Sequence, residues 1–303
     1  MISRKRRGAG LETRLDVHFT AVAREGALLG ESPFWDHRDS IWWVDIEGRK
    51  LLRTRLSTGE TESWATPETP GFVVLAGHDR PMVGMQRGIY AFSCAERRFE
   101  RRVSFASEGQ RFNDATIDAS GRLWVSTMAL DAAPGQGAIH AVTSGLGLDT
   151  VISGLTIPNG LVADAGGARL YLSDSHPDSR TIWTVGCDFA SGVVGERAVF
   201  ASMRDAVGRP DGAALGAGGA TYWIAAVDGG ALHGFSRQGV LEYSVPLQFP
   251  APTKLAFLDG GLAVTAKAKG GYGGQLAMAT DLPPVLRGPA VPFWQAGGRL
   301  SAT

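Results

Sequence analysis

The sequence predicts an all-β protein, namely a six-bladed β-propeller with four-stranded blades around a central channel. Short β-rich runs alternate with turns of Gly, Asp and Ser almost from end to end of the 303 residues, of which 41 are glycine. Long helical periodicity is absent. One theme recurs at roughly 40 to 50 residues, the period of a propeller blade. It consists of a short apolar run, a turn containing Asp or Gly, and a strand that carries an aromatic residue.

The repeat is clear in four segments and weaker in two others. The clear copies are "SPFWDHRDSIWWVDI", "DATIDASGRLWVSTM", "GLVADAGGARLYLSDS" and "GAALGAGGATYWIAAV". The weaker copies are "VLAGHDRPMVGM" and "LAFLDGGLAVTAK". The residues near the aromatic position of the six copies are Trp42, Met82, Trp124, Tyr171, Trp223 and Val264. Six copies predict six blades.

The remaining strands of each blade follow from the second half of each repeat. Each copy continues into another hairpin, as in residues 48–64 and 230–246, and two hairpins make the four-stranded sheet of a blade. Residues 12–23 have strand character and are expected to complete the last blade, so that both chain ends close the ring. No linker-like composition interrupts the repeats, which predicts one domain over residues 12–303. The basic run "RKRR" predicts a disordered tail over residues 1–11.

Composition excludes several classes of function. Lys and Arg number 30, as do Asp and Glu, so the formal net charge is zero. A chain without a strong field is poorly suited to binding nucleic acid or membranes through charge, and small neutral or weakly anionic ligands are expected instead. The chain shows neither a signal-peptide pattern nor an apolar run of membrane-spanning length, which predicts a cytoplasmic protein. The two cysteines lack the spacing of a disulfide framework or a cysteine zinc site. Nothing in the sequence gives the oligomeric state.

Four polar residues occupy the same position in the four clear repeats. Glu31, Asn113, Asn159 and Asp211 each precede the aromatic residue of their repeat by 11 or 12 positions. The first strand of every propeller blade lines the central channel. Residues at equivalent positions of these strands should therefore face one another across the channel, although they lie far apart in the sequence.

This set of side chains indicates a cation site. Two carboxylates and two carboxamides offer oxygen donors, and buried acids need a cation to share their charge. Oxygen ligands favour Ca²⁺, Mg²⁺ or Mn²⁺, although Zn²⁺ also accepts carboxylate oxygen. Taken singly, "IPNG" and "RPDG" are ordinary turn sequences. The shared register of the four residues is what favours one divalent metal ion in the channel.

The same segments resemble the gluconolactonase, senescence marker protein and regucalcin-like family, which includes luciferin-regenerating enzyme-like proteins. The resemblance rests on "LGESPFWD", "RFNDATIDASGRLWVSTM", "IPNGLVADAGGARLYLSDS" and "RPDGAALGAGGATYWIAA", in that order, and covers most of residues 29–228. It implies a six-bladed propeller with one divalent cation in the central channel. It also implies hydrolysis of a small-molecule sugar lactone or a related cyclic ester.

The resemblance also implies roles for individual residues. The metal ligands would be Glu31, Asn159 and Asp211. Asn113 would lie beside the metal as a ligand or a substrate contact, and Arg111 would bind the sugar. Asp131, in "STMALDAAPGQG", matches an acidic residue of a substrate loop.

The sequence departs from the family pattern at two places. Ala115 stands where the family usually has Gly after "RFND". The short last blade carries Lys267 and Lys269. These departures concern the identity of the substrate more than the metal site.

Lactone hydrolysis needs a polarised carbonyl, an activated water and a stabilised oxyanion, and a channel cation can supply the first and the third. Asp211 is the expected general base, with Glu31 balancing the charge. Two alternatives remain open. One is a non-catalytic calcium-binding propeller that uses its rim for protein interaction. The other is a metal-dependent esterase or phosphotriesterase acting on another cyclic ester.

Overall fold

The computed structural model describes residues 3–7, 10–164 and 166–296. It confirms the six-bladed propeller with four-stranded blades. Residues 1, 2, 8 and 9 of the predicted tail and residues 297–303 of the predicted domain lie outside the described residues.

The strands follow the chain blade by blade. The N-terminal strands are β1 (Ser3–Arg7), β2 (Gly10–Arg14) and β3 (Thr20–Ala21). Blade I contains β4 (Gly30–Trp35), β5 (Ser40–Asp45), β6 (Lys50–Arg55) and β7 (Thr61–Ala65). Blade II contains β8 (Phe72–Leu75), β9 (Pro81–Gly84), β10 (Gly88–Ser93) and β11 (Arg98–Ser104). Blade III contains β12 (Gln110–Ile117), β13 (Leu123–Ala129), β14 (Gly137–Val142) and β15 (Leu148–Leu155).

The second half of the ring has the same plan. Blade IV contains β16 (Pro158–Asp164), β17 (Arg169–Asp174), β18 (Thr181–Asp188) and β19 (Val193–Ser202). Blade V contains β20 (Arg209–Leu215), β21 (Thr221–Val227), β22 (Ala231–Ser236) and β23 (Leu241–Pro246). Blade VI contains β24 (Pro252–Leu258), β25 (Gly261–Ala266), β26 (Leu276–Ala279) and the N-terminal β3. Two 3-10 helices, Ala217–Gly219 and Pro284–Leu286, complete the elements.

The repeat residue of every copy lies on the second strand of its blade. Trp42, Trp124 and Trp223 are fully buried there, and β5, β13 and β21 are buried along their whole length. The outermost strands β11 and β19 are mostly exposed. Since the apolar faces of neighbouring blades pack on each other, the core forms a ring between the channel and the outer strands. Burying each large side chain stabilises the fold by about 2 to 3 kcal/mol, which holds the channel-lining strands in place.

The N-terminal segment closes the ring in part as the sequence predicts. Within residues 12–23, only β3 pairs with β26 of blade VI. β2 instead adds a parallel strand to the outer edge of blade V, through Thr13 and Arg14. The reason is that the outermost strand β23 leaves an unpaired edge that a passing segment can join. β1 pairs with β2 in turn, whereas the sequence predicts a disordered tail over residues 1–11. That tail and the domain bounds 12–303 stay predictions.

Two further findings concern membrane spans and cysteines. Among the described residues, no helix is long and apolar enough to cross a membrane. The predicted cytoplasmic location stays a prediction. Both cysteines, Cys94 and Cys187, are free thiols, in line with the absence of a disulfide framework.

Candidate functional site

The four polar residues of the repeats are structurally equivalent. Glu31 lies on β4, Asn113 on β12, Asn159 on β16 and Asp211 on β20, each the innermost strand of its blade. Each lies three residues before the inner-strand residue that pairs with the aromatic of the second strand. Those pairs are Phe34 with Trp42, Thr116 with Trp124, Val162 with Tyr171, and Ala214 with Trp223. The aromatic repeat therefore sets the height of the four residues along the channel.

A β-bulge accompanies each of these residues. The inner strands β4, β12, β16 and β20 each gain one residue relative to the second strand at this level. Such a bulge bends the strand and changes the direction of a side chain. Blade II has no bulge on β8, and its equivalent residue is Gly71. A Cβ at Gly71 would lie 2.9 Å from the backbone nitrogen of Asn113. Blade II therefore has no room for a side chain at this level.

Hydrogen bonds connect the polar residues of blades III, IV and V. The Asn159 Nδ2 donates to Asp211 Oδ1 at 2.6 Å and to Ser175 Oγ at 3.0 Å. One guanidinium nitrogen of Arg111 donates to Asn113 Oδ1 at 2.7 Å. The Asn113 Nδ2 donates to the backbone oxygen of Pro158 in blade IV at 3.0 Å. The two carboxamides thus hold the carboxylate and the guanidinium in fixed positions.

Burial raises the pKa of both acids of the site. Burial raises the pKa of Glu31 from 4.5 to about 7, against the opposing effect of Lys254. Burial, followed by repulsion from Glu31, raises the pKa of Asp211 well above its usual value. Burial lowers the pKa of Arg111 to about 10, although Glu31 and Asp211 oppose this change. Glu31 and Asp211 are both only 8% exposed. The chain alone therefore leaves two buried acids insufficiently compensated.

The three predicted metal ligands each keep one oxygen without a hydrogen-bond partner among the described residues. Glu31 uses only Oε2, which accepts from the N–H of Ser32 at 2.7 Å. Asn159 uses only its Nδ2, and Asp211 uses only Oδ1. Glu31 Oε1, Asn159 Oδ1 and Asp211 Oδ2 are thus available donors of the type that divalent cations bind. The Asn113 oxygen differs, because Arg111 already occupies it.

The predicted ligand set, Glu31, Asn159 and Asp211, differs from the usual cluster of His, Cys, Asp and Glu ligands. Within the described part of the chain, no three His, Cys, Asp or Glu side chains cluster in a way that could hold a metal ion. The predicted set contains only two such side chains, and its third ligand is an asparagine. Its oxygen chemistry fits a divalent cation.

Asp131 is the predicted site residue that the structure does not join to the others. Its side chain is exposed in the turn after β13 and accepts from the N–H of Ala133 at 3.0 Å. Gln110, next to Arg111, pairs with Ala129, so Asp131 lies at the end of blade III where the inner strand begins. Its role as a substrate contact stays a prediction.

The unusual lysines of blade VI bind neighbouring blades at the same end of the channel. Lys267 forms an ion pair with Glu47 of blade I at 2.8 Å. Lys269 pairs with Asp228 of blade V at 2.7 Å, and Asp228 also binds Arg209 at 2.8 Å. These exposed pairs contribute little stability singly. Their positions connect blade VI to both of its neighbours around the mouth.

Sequence reasoning missed a buried ion pair next to the predicted ligands. Lys254 of β24 binds Asp114 of β12 and also donates to the backbone oxygen of Ala115 at 2.9 Å. Asp114 has a visible signal, since it follows Asn113. Lys254 has none, because it lies 140 positions away in a weak repeat.

Comparison with known proteins identifies the relatives. The family model described as the SMP-30/Gluconolactonase/LRE-like region matches residues 29–266. A 6-deoxy-6-sulfogluconolactonase from Pseudomonas putida is 29% identical over 240 residues, covering 78% of this chain and 81% of the relative. Pentonolactonase XacC from Haloferax volcanii is 29% identical over 260 residues, covering 83% and 86%.

A solved structure shows the same fold. The calcium-binding protein regucalcin from Agrobacterium tumefaciens aligns with a TM-score of 0.84 at 21% identity, covering 93% of this chain and 99% of that chain. The family match confirms the resemblance carried by the four repeat segments. Because the matched region spans most of the sequence, this chain belongs to the SMP-30/gluconolactonase/LRE-like family.

Proposed function

We propose that the chain hydrolyses a sugar lactone to the corresponding aldonic acid with the aid of one divalent cation in the channel. The observation that carries the proposal is that Glu31, Asn159 and Asp211 each keep one oxygen free of hydrogen bonds to the described residues. Two of these three residues, Glu31 and Asp211, are buried acids. Two relatives named as sugar lactonases support the reaction type. Ca²⁺, Zn²⁺, Mg²⁺ and Mn²⁺ all fit the donor types.

A divalent cation bound there would act as a Lewis acid on the lactone carbonyl and the developing oxyanion, a role worth several kcal/mol. Asp211 is the proposed general base. Its carboxylate would hold the cation through Oδ2, and Oδ1, which accepts one hydrogen bond from Asn159 at 2.6 Å, keeps a second lone pair that can take the proton of the attacking water. Burial raises the pKa of Asp211, which increases its affinity for that proton. Glu31 supplies the second negative charge of the site.

Arg111 is the proposed sugar-binding residue. Only one of its guanidinium nitrogens makes hydrogen bonds, to Phe112 O at 2.8 Å and to Asn113 Oδ1 at 2.7 Å. The other two nitrogens have no partner among the described residues and can donate to substrate hydroxyls. Asn113 uses its oxygen for Arg111 and its nitrogen for Pro158. In this proposal Asn113 orients Arg111 for the substrate.

A panel of cyclic esters tests the proposal. The metal-stripped chain should release no acid from aldonolactones, and one of the four divalent ions should restore the release. Glu31→Ala should remain inactive under the same conditions. Restored hydrolysis of simple esters or phosphotriesters alone would favour the other metal-dependent hydrolase. Cation binding without hydrolysis of any ester would favour the non-catalytic propeller.

A further inference from the structure

Lys254 crosses the channel from blade VI to blade III. Its ammonium group binds the Asp114 carboxylate and donates to Ala115 O at 2.9 Å. The side chains are 9% and 2% exposed. The stem of Lys254 passes over Gly212 of blade V, where an added Cβ would lie 2.8 Å from Lys254 Cδ. A glycine at this position therefore leaves the path of the lysine open.

Asp114 extends the connection to blade IV. Its Oδ2 accepts from the N–H of Leu161 at 2.8 Å, and its Oδ1 accepts from the N–H of Ala115 at 2.8 Å. Asp114 thus accepts hydrogen bonds from two backbone N–H groups and one ammonium group. The pair therefore joins blades III, IV and VI directly, at the level just beyond the predicted ligands.

The channel beyond the pair is narrow and mostly apolar. A cavity of about 20 Å³, which is room for one water molecule, lies there. Each of the six inner strands contributes to its lining, with Ser32, Val73, Thr116, Leu161, Ala213 and Leu255 among the residues. Lys254 itself lines this cavity, so the ion pair forms the floor of the polar part of the channel.

Both members of the pair act on the predicted ligands. Lys254 favours the charged forms of Glu31 and Asp211, whereas Asp114 disfavours them. A buried ion pair is rarely needed for stability alone, because apolar residues of similar volume often replace it without loss. The Lys254–Asp114 pair lies close enough to both buried acids to affect their charge.

We propose that Lys254 and Asp114 form a balanced charge pair that sets the affinity of the channel site for its divalent cation. Lys254 is a positioning residue in this account. Its ammonium group holds the Asp114 side chain in place and offsets its charge, so that Glu31 and Asp211 supply the negative charge that faces the cation. This inference rests on the proposed function, because it requires a cation in the channel.

Opposite changes in affinity are expected from the two single variants. Lys254→Met leaves an uncompensated negative charge and should tighten binding of Ca²⁺ or Mn²⁺ by about tenfold or more. Asp114→Asn leaves an uncompensated positive charge and should weaken binding by a similar factor. Both variants should lower the urea midpoint of the metal-free protein, since each leaves one buried charge unpaired. A purely structural pair would change affinity in the same direction in both variants.

Calorimetric titration of the metal-free full chain with Ca²⁺, and separately with Mn²⁺, measures these affinities. The double variant Lys254→Met/Asp114→Asn should return to within about threefold of the wild type, since both charges are gone. If one single variant fails to fold, the other is compared with the double variant, and the predicted sign is unchanged. Lys254→Arg keeps the charge and should stay near the wild-type affinity.

Lys267→Met is the matched control, because it removes a lysine from the same blade whose side chain is 43% exposed and bound to Glu47. The affinity of the Lys267→Met variant for the divalent cation should differ from that of the wild type by less than about twofold. If the wild type binds the cation but the affinities of the two single variants change in the same direction, the charge-pair proposal is overturned and the proposed function is not. Absence of divalent binding by the wild type overturns the proposed function.

Discussion

Replacing Glu31 by glutamine should stabilise the metal-free protein at alkaline pH, although it removes the charge of a predicted metal ligand. Glu31 is 8% exposed, and burial is the largest cause that raises its pKa from 4.5 to about 7. Glutamine has nearly the same shape and can still accept the N–H of Ser32, which Glu31 Oε2 accepts at 2.7 Å. The substitution therefore removes the charge while keeping the packing and this hydrogen bond.

The sign of the effect follows from proton linkage. Because the folded-state pKa of Glu31 is raised, its carboxyl group favours the folded state fully only below pH 4.5. This contribution is lost as the pH rises through the folded-state value of about 7. One pKa unit corresponds to about 1.4 kcal/mol, so the full loss is on the order of 3 kcal/mol. Glu31→Gln does not titrate and should avoid this loss.

Urea unfolding of the chelated wild type and of Glu31→Gln, followed by circular dichroism at pH 5 and pH 8.5, measures the difference. The variant should have the larger unfolding free energy at pH 8.5, and the gap should shrink at pH 5. Saturating divalent cation should reverse the order at pH 8.5, because only the wild type keeps the carboxylate ligand. A metal-free variant that is equally or less stable at pH 8.5 would refute the reasoning.

Three substitutions and one treatment separate the proposed roles. Asp211→Asn keeps an oxygen donor but loses the proton acceptor, so it should retain part of its metal while kcat falls by about 10² or more; full turnover with metal bound would make Asp211 a ligand only. Arg111→Ala and Asn113→Ala should lower kcat/KM more for a hydroxylated lactone than for a lactone without hydroxyls. The difference should correspond to about 1 to 3 kcal/mol of transition-state stabilisation per lost contact; equal losses on both substrates would mean that these residues position the metal or the blade. Chelation should abolish hydrolysis and leave the far-ultraviolet circular dichroism nearly unchanged, because the apolar contacts between blades do not depend on the predicted metal ligands; global unfolding would contradict this.

The regular part of the fold was readable from the sequence because one aromatic position repeats. Trp42, Trp124 and Trp223 mark second strands, and even the weak copies with Met82 and Val264 lie on the corresponding strands. The second strand of a blade is buried between two others and therefore needs large apolar side chains. This requirement makes the strand recognisable in each copy of the repeat. The N-terminal segment was predicted less well, because only β3 joins blade VI. Free strand edges accept short segments with little sequence requirement.

The site was predictable where it follows the same register. Glu31, Asn113, Asn159 and Asp211 were found by counting back from the aromatic, and the structure places them at equivalent positions. Lys254 could not be found in this way. Its proposed role depends on a contact across the channel with Asp114, and no periodicity within the chain encodes a contact between two different blades.

The central claim is that Glu31, Asn159 and Asp211 hold one divalent cation that lactone hydrolysis requires. Titrating the metal-stripped chain with a divalent ion, while recording bound metal and acid release from an aldonolactone, tests this claim most directly. Activity should rise in proportion to bound metal and reach its maximum at one ion per chain, while Glu31→Ala and Asp211→Ala bind far less metal. A full metal complement in both variants, or full hydrolysis by the stripped wild type, would contradict the account.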